Sequence, residues 1–217
     1  MLGADHVVEA QTVNRGLRAL GYDADRVQVL LHQFVTFGES KMSTRAGNYI
    51  TLDDLINEVG ADVVRYFMLA RSPNSHLEFD FDLAKEQSKE NPVYYIQNAH
   101  VRCCGILRQV AERGLPENWD DGADLNLLGE AERLFVVKML EFPEQLLYAH
   151  DNLAPHQIAF YALDLARQFH PLYDEVRVLH TEVPEDLARA RLRFYRAARV
   201  MFARLLALMG MDAPERM

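Results

Sequence analysis

Cysteine is scarce in this chain. There are two in 217 residues, and they are neighbours, Cys103 and Cys104. A bridge between adjacent cysteines is strained, so no disulfide framework is expected and a reducing, cytoplasmic setting suits the composition. Long apolar runs are also lacking, and Met1 is followed by Gly3, Asp5 and His6 rather than by a charged segment and an apolar one. The sequence therefore predicts neither a membrane span nor a signal peptide. Positive charge is in deficit, with 23 Lys and Arg against 32 Asp and Glu, a net charge of −9. That balance argues against a surface that binds nucleic acid everywhere, so any polyanion contact has to be a local stripe. The cluster His100-x-x-Cys103-Cys104 contains metal-binding residue types. No second ligand pair at zinc-site spacing accompanies it, so buried thiols are the better reading and no zinc is expected.

What is present is ordinary for a globular protein, 49% hydrophobic and 25% charged residues. The length allows one large domain or two smaller ones. Residues 8–20 have a helical pattern, and the apolar run Val27 to Val35 predicts a buried parallel strand feeding the polar segment Gly38 to Gly47. Thr51 and Asp54 form a capping-box pattern that opens a helix ending at Gly60, and a second helix carries Val63, Val64, Phe67 and Met68. Leu77, Phe79 and Phe81 alternate with acids, which predicts an extended segment with one buried face.

From Pro92 the pattern becomes all helical. Asn91 and Pro92 make a cap and first-turn pair, and a helix is predicted from there to Gly114. A loop over 114–124 follows, then helices over about 127–141, 143–150, 155–178 and 184–209. Four or five helices of this kind make a bundle.

The string Lys41-Met42-Ser43-Thr44-Arg45 is the most informative one. Two cations and two hydroxyls on a loop can close around a triphosphate, stabilising charge that grows on a pyrophosphate leaving group. A solvated loop is the plainer reading of so short a string. Its surroundings decide between them. The strings Gly3-Ala-Asp-His6, Lys41 to Gly47, Asp62-Val-Val-Arg65, Asp80 to Ala84, Asn91 to Gln97, Ala99-His100 with Arg102, and the terminal Ala213-Pro-Glu-Arg-Met217 occur in order across nearly the whole chain. Together they resemble the arginyl-tRNA synthetases among the class I aminoacyl-tRNA synthetases.

That resemblance implies a mainly α chain. Residues 1–50 would be the C-terminal remnant of a Rossmann-type α/β catalytic domain, 51–90 a stem-contact linker, and 91–217 an all-α anticodon-binding helical bundle. It implies the ligation of L-arginine to arginine tRNA through arginyl-adenylate, with ATP and Mg²⁺, in a monomer. Lys41, Ser43 and Arg45 fall where the family's KMSKS-type loop engages ATP. Thr44 stands where that pattern has lysine, which puts more of the triphosphate contact on Lys41 and Arg45. His6 falls beside the family's substrate pocket, with a structural role equally open. Tyr95, Asn98 and Arg102, at i, i+3 and i+7 on one helical face, match the face that meets the anticodon loop, and Met217 is the matching terminal residue. The family usually has tyrosine at the position of Asn98, a stacking platform worth roughly 1–3 kcal/mol.

In the last helix, a 100° step groups Arg189, Arg193, Arg196 and Arg204 on one side, with Leu187, Phe194, Met201, Leu205 and Leu208 on the other. The grouping predicts an outward basic stripe, and with the family match Arg189, Arg193 and Arg196 become candidate tRNA contacts. A class I synthetase also needs a HIGH motif, and no His-x-Gly-His string occurs in these 217 residues. The chain is therefore expected to be a cut portion of a synthetase that is inactive alone, the alternative being a free-standing non-catalytic tRNA-binding paralogue. A cysteinyl enzyme sharing the helical bundle is disfavoured by the arginyl-type C-terminus.

Overall fold

The computed structural model describes residues 1–36 and 51–217. The loop residues Lys41, Ser43 and Arg45 lie outside the described residues. At the N-terminus, strand β1 (Leu2–Gly3) is followed by helix α1 (Val7–Ala19) and strand β2 (Leu31–His32). The two strands pair in parallel, Leu2 against Leu31 and Gly3 against His32, which is the βαβ connection that parallel pairing demands.

The continuous strand expected over Val27 to Val35 is instead two short pieces. Strand β3 (Val35–Thr36) leaves β1 and pairs in parallel with β4 (Leu77–Glu78), a different neighbour. Between the pieces, the amide of Gln33 donates to the carbonyl of Pro73. The apolar run is thus shared between two partners, and its break falls at the change of partner. The extended segment expected to reach Asp82 is also shorter. Asp80 accepts from the amide of Leu83 and starts helix α4 (Phe81–Lys85), so the N-cap preference of aspartate overrides the alternation.

Thr51 and Asp54 form the capping box that begins helix α2 (Leu52–Val59). Gly60 has φ +89° and serves both as the end of α2 and the start of α3 (Ala61–Leu69), a left-handed backbone that favours glycine. Leu55 of α2 and Val64 of α3 bury against Phe79 and Ala84, forming a small core. Tyr66 of the same α3 points elsewhere, into the larger core of the bundle.

Asn91 begins α5 (Pro92–Glu112) by accepting from the amide of Val93, while its side-chain amide donates to the carbonyls of Ala84 and Glu86. One buried side chain therefore caps the helix and fixes the turn before it. Helices α6 (Glu130–Leu140), α7 (Phe142–Asp151), α8 (His156–Glu175, containing Pro171) and α9 (Glu185–Leu208) complete the bundle. Central to it are α5, α8 and α9. Ile96, Ala99 and Cys103 of α5, Leu165 and Phe169 of α8, and Leu192, Tyr195 and Phe202 of α9 are withdrawn from solvent. Fully buried alanines, Ala99, Ala162, Ala166 and Ala198, let the helix backbones approach. Burying each large apolar side chain is worth about 1.5–3 kcal/mol. Among the described residues no helix is long and apolar enough to cross a membrane.

Candidate nucleic-acid interface

Helix α5 presents Tyr95, Asn98 and Arg102 toward α8. The ring of Tyr95 lies 4.2 Å, centroid to centroid, from that of His170, whose Nε2 donates to the Tyr95 carbonyl at 2.9 Å. Burial lowers the pKa of His170 from its ordinary 6.5, a neighbouring Arg102 charge adds to that, and the Tyr95 carbonyl opposes it. The ring is thereby kept neutral and its tautomer fixed. Two turns further along α5 and one turn along α8, the Arg102 guanidinium sits 4.6 Å over the ring of Tyr173 and bonds Asp174 at 3.0 Å. Asn98, half-buried, lies between these two contacts on the same face. The arrangement offers aromatic surface, amide groups and a cation held by an exposed carboxylate. Unpaired bases and phosphates are bound by such groups.

His170, Tyr173 and Asp174 were not singled out from the sequence. The signal available was their own i, i+3, i+4 spacing on α8, but nothing in a sequence says which helix that face meets.

The C-terminal segment runs along the other side of α5. Gln97 Nε2 donates to Asp62 of α3 at 2.7 Å and to the Asp212 carbonyl at 3.0 Å, and the Asp212 amide donates to the same Asp62 carboxylate. His100 Nδ1 donates to the Pro214 carbonyl at 2.8 Å, and Arg108 to that of Glu215. Met217 ends, exposed, at a crevice of about 300 Å³ lined also by Val59, Val63, Tyr94 and Gln97. The tail thus sets Met217 beside α5 but on a face separate from the rings of Tyr95 and Tyr173.

His100 also lies 3.7 Å from the Cys104 sulfur, and burial pushes the Cys103 thiol well above its ordinary range. Among the described residues no three His, Cys, Asp or Glu side chains gather around a common point that could hold a metal ion. His6 sits exposed at the start of α1, its ring nitrogens 3.7 Å from Asp5 and 3.6 Å from Glu9.

The α9 arginines do not form a free outward stripe. Arg189 donates to the carbonyls of Trp119 and Asp121. Arg196 pairs with the buried Asp120 and donates to the Glu117 carbonyl, and Arg193 reaches Asp120 and Asp121 at 3.5 Å. Three of the four grouped residues therefore hold the loop over 114–124 against the bundle. Leu208, expected on the core side, is exposed.

Residues 96–217, more than half of the chain, match the family model of the DALR anticodon binding domain, and residues 16–102 match that of tRNA synthetases class I (M). The arginine–tRNA ligase of Salinibacter ruber is 45% identical over 222 residues, covering 100% of this chain and 39% of the relative. That of Carboxydothermus hydrogenoformans is 44% identical, covering 99% of the chain and again 39% of the relative. The chain spans about two fifths of the length of these curated relatives, in their C-terminal portion. Among solved structures, a putative arginyl-tRNA synthetase from Campylobacter jejuni superposes with a TM-score of 0.85 at 30% identity, over 100% of this chain and 47% of that one. The Thermus thermophilus arginyl-tRNA synthetase, at 24% identity and a TM-score of 0.77, shares the fold, over 100% of this chain and 40% of that one. By these matches the chain belongs to the DALR anticodon binding domain family, following a class I tRNA synthetase segment as it does in the arginine–tRNA ligases that the whole chain resembles.

Proposed function

We propose that this chain is the C-terminal part of an arginine–tRNA ligase and that the α5–α8 face carrying Tyr95, Asn98 and Arg102 meets the anticodon loop of arginine tRNA. The observation that carries the reading is the convergence on that face of two tyrosines and an arginine, within the stretch matched by the DALR model. In the whole enzyme, L-arginine would be activated by ATP, Mg²⁺ entering with the nucleotide, and Lys41, Ser43 and Arg45 would engage the triphosphate. His6, beside two carboxylates, would lie near a substrate that bears a guanidinium. Residues 1–50, 51–90 and 91–217 would serve as catalytic remnant, stem contact and anticodon domain. Met217 would touch the tRNA from the crevice beside α5. Of the α9 arginines, Arg193 retains an exposed guanidinium for a phosphate, whereas Arg189 and Arg196 would support that surface through the loop they hold. The enzyme is expected to work as a cytoplasmic monomer, and this portion alone to charge no tRNA.

Titration of the 217-residue chain with arginine tRNA tests the reading. Arg102 is already neutralised by Asp174, so RNA has to displace that carboxylate. Asp174→Asn should therefore tighten binding severalfold while Arg102→Ala weakens it by about tenfold, equivalent to about 1.4 kcal/mol. Each phosphate neutralised should contribute roughly −0.7 to −0.9 to the log–log salt slope. Unchanged affinity in both variants would place the anticodon elsewhere. Arginine charging by the pure chain would refute its being an incomplete ligase, and background counts are expected.

A further inference from the structure

His100, Cys104 and Arg108 stand four residues apart on α5, so they share one face of the helix at steps of about 6 Å. The two outer residues hold the C-terminal tail, His100 at the Pro214 carbonyl and Arg108 at that of Glu215. The Cys104 thiol is therefore centred between the tail's two anchors, and 6% of the residue is exposed. Its sulfur lies 3.7 Å from His100 Nε2, and Arg199 of α9 and the Glu215 carboxylate of the tail also act on it. The adjacent Cys103 is covered differently, with no exposed surface and its place in the bundle core. Burial raises the pKa of Cys104 above its ordinary value and Glu215 adds to this, whereas Arg199 and Arg108 oppose it. Glu215 and the cover over the sulfur come with the tail, while both arginines belong to helices. Lifting the tail thus exposes a thiol beside two guanidiniums, the setting in which a thiolate is favoured.

We propose that the tail and Cys104 form a thiol switch, in which Cys104 takes up a small thiol as a mixed disulfide when the tail lifts, and the adduct then keeps the tail off. The co-reactant is a small-molecule disulfide. Cys104 gives its proton to solvent, its sulfur attacks one sulfur of that disulfide, the new S–S bond forms as the old one breaks, and the other half leaves as a thiolate. Opening at this place is easier than anywhere in the core. The tail is a chain end held by side-chain contacts, and Asp212, Glu215, Arg216 and Met217 are exposed, whereas Cys103 is reached only when the bundle itself unfolds. A site packed between α5 and the seated tail has no room for an adduct the size of a tripeptide. The modified chain therefore cannot close its tail over α5, and Met217 leaves the crevice beside that helix. A free thiol in the reduced chain permits closure again.

Oxidised glutathione added to the full 217-residue chain tests the switch, with adducts counted and located by mass spectrometry. One adduct per chain is expected, on Cys104, and none in Cys104→Ser. Cys103 is the internal control, because its remaining unmodified shows that the bundle stayed folded. The rate of adduct formation should follow tail opening measured by hydrogen exchange, rising about tenfold in Asp62→Ala, where the Asp212 anchor is lost. In the purified adduct the amides of Met211 to Met217 should exchange faster than in the parent while the centre of α8 is unchanged, and dithiothreitol should restore the parent pattern. Four results would overturn the proposal. They are no adduct on the folded chain, Cys103 reacting as fast as Cys104, adduct formation indifferent to tail opening, and an adduct whose tail amides exchange at the parent rate.

Discussion

At His170 a single ring joins fold stability to the candidate RNA face. It is buried, packs at a tilt against the Tyr95 ring and donates to that residue's carbonyl, with Arg102 and Asp174 as its charged neighbours. Its pKa is lowered from 6.5, chiefly by burial, so between that depressed value and 6.5 the unfolded chain binds the proton and the folded chain does not. In this window stability rises with pH, and it is lost as pH falls below 6.5. Thermal denaturation between pH 7.5 and pH 5 should therefore show the parent losing stability relative to His170→Gln, which has no proton to gain. Parallel pH profiles for the two proteins would rule out the neutral-ring account. Tyr95 and Arg102 were legible in the sequence as residues of one helical face. The ring under one and the carboxylate beside the other come from α8, more than 60 residues away, and periodicity in α5 carries no information about them.

Among the elements, α9 shows where reading by pattern succeeds and where it stops. The 3.6-residue period grouped its arginines correctly, and the helix runs Glu185–Leu208 against the expected 184–209. What those arginines meet is the loop over 114–124, through the carboxylates of Asp120 and Asp121 and through backbone carbonyls, and every residue type has a carbonyl. The capping box at Thr51 was legible because it is local, as was the Asn91–Pro92 start of α5. The apolar run from Val27 overstates the strand's length because the position of its break depends on a neighbour, β4, over 40 residues later. Asp120 supports the α9 reading. Only 1% of its side chain is exposed while it pairs with Arg196, which keeps 27%. Asp120→Ala would leave a cation partly buried without its partner, at a cost of roughly 3 kcal/mol, the low end for broken buried pairs because Arg196 reaches water. Urea denaturation should show that loss, and a cost below about 0.5 kcal/mol, as at an ordinary surface site, would mean the loop is held by its carbonyl contacts and the Arg193–Asp121 pair.

Over the whole molecule, the two apolar cores are joined by polar contacts as well as by packing. Tyr66 carries α3 into the bundle core, and Asp62, at the start of the same helix, receives both the Gln97 side chain of α5 and the amide of Asp212 in the tail. The tail is then stitched to α5 again at His100 and Arg108. The end of the chain is therefore a strap across α3 and α5, and its seat depends on one carboxylate and one buried amide. Gln97 has 8% of its surface exposed, so Gln97→Leu keeps the volume while removing both of its hydrogen bonds. Each such bond contributes about 0.5–1.5 kcal/mol. Hydrogen exchange should show the amides of Met211 to Met217 opening faster in Gln97→Leu and in Asp62→Ala, with α3 affected in the second variant but the centre of α8 unchanged. Arg108→Ala, which removes one exposed contact to Glu215, should have a much smaller effect. If exchange in the tail stays at the parent rate in both of the first two variants, the strap is held by apolar packing around Met209 and Met211, and the Asp62–Gln97–Asp212 junction has no part in fixing α3 to the bundle.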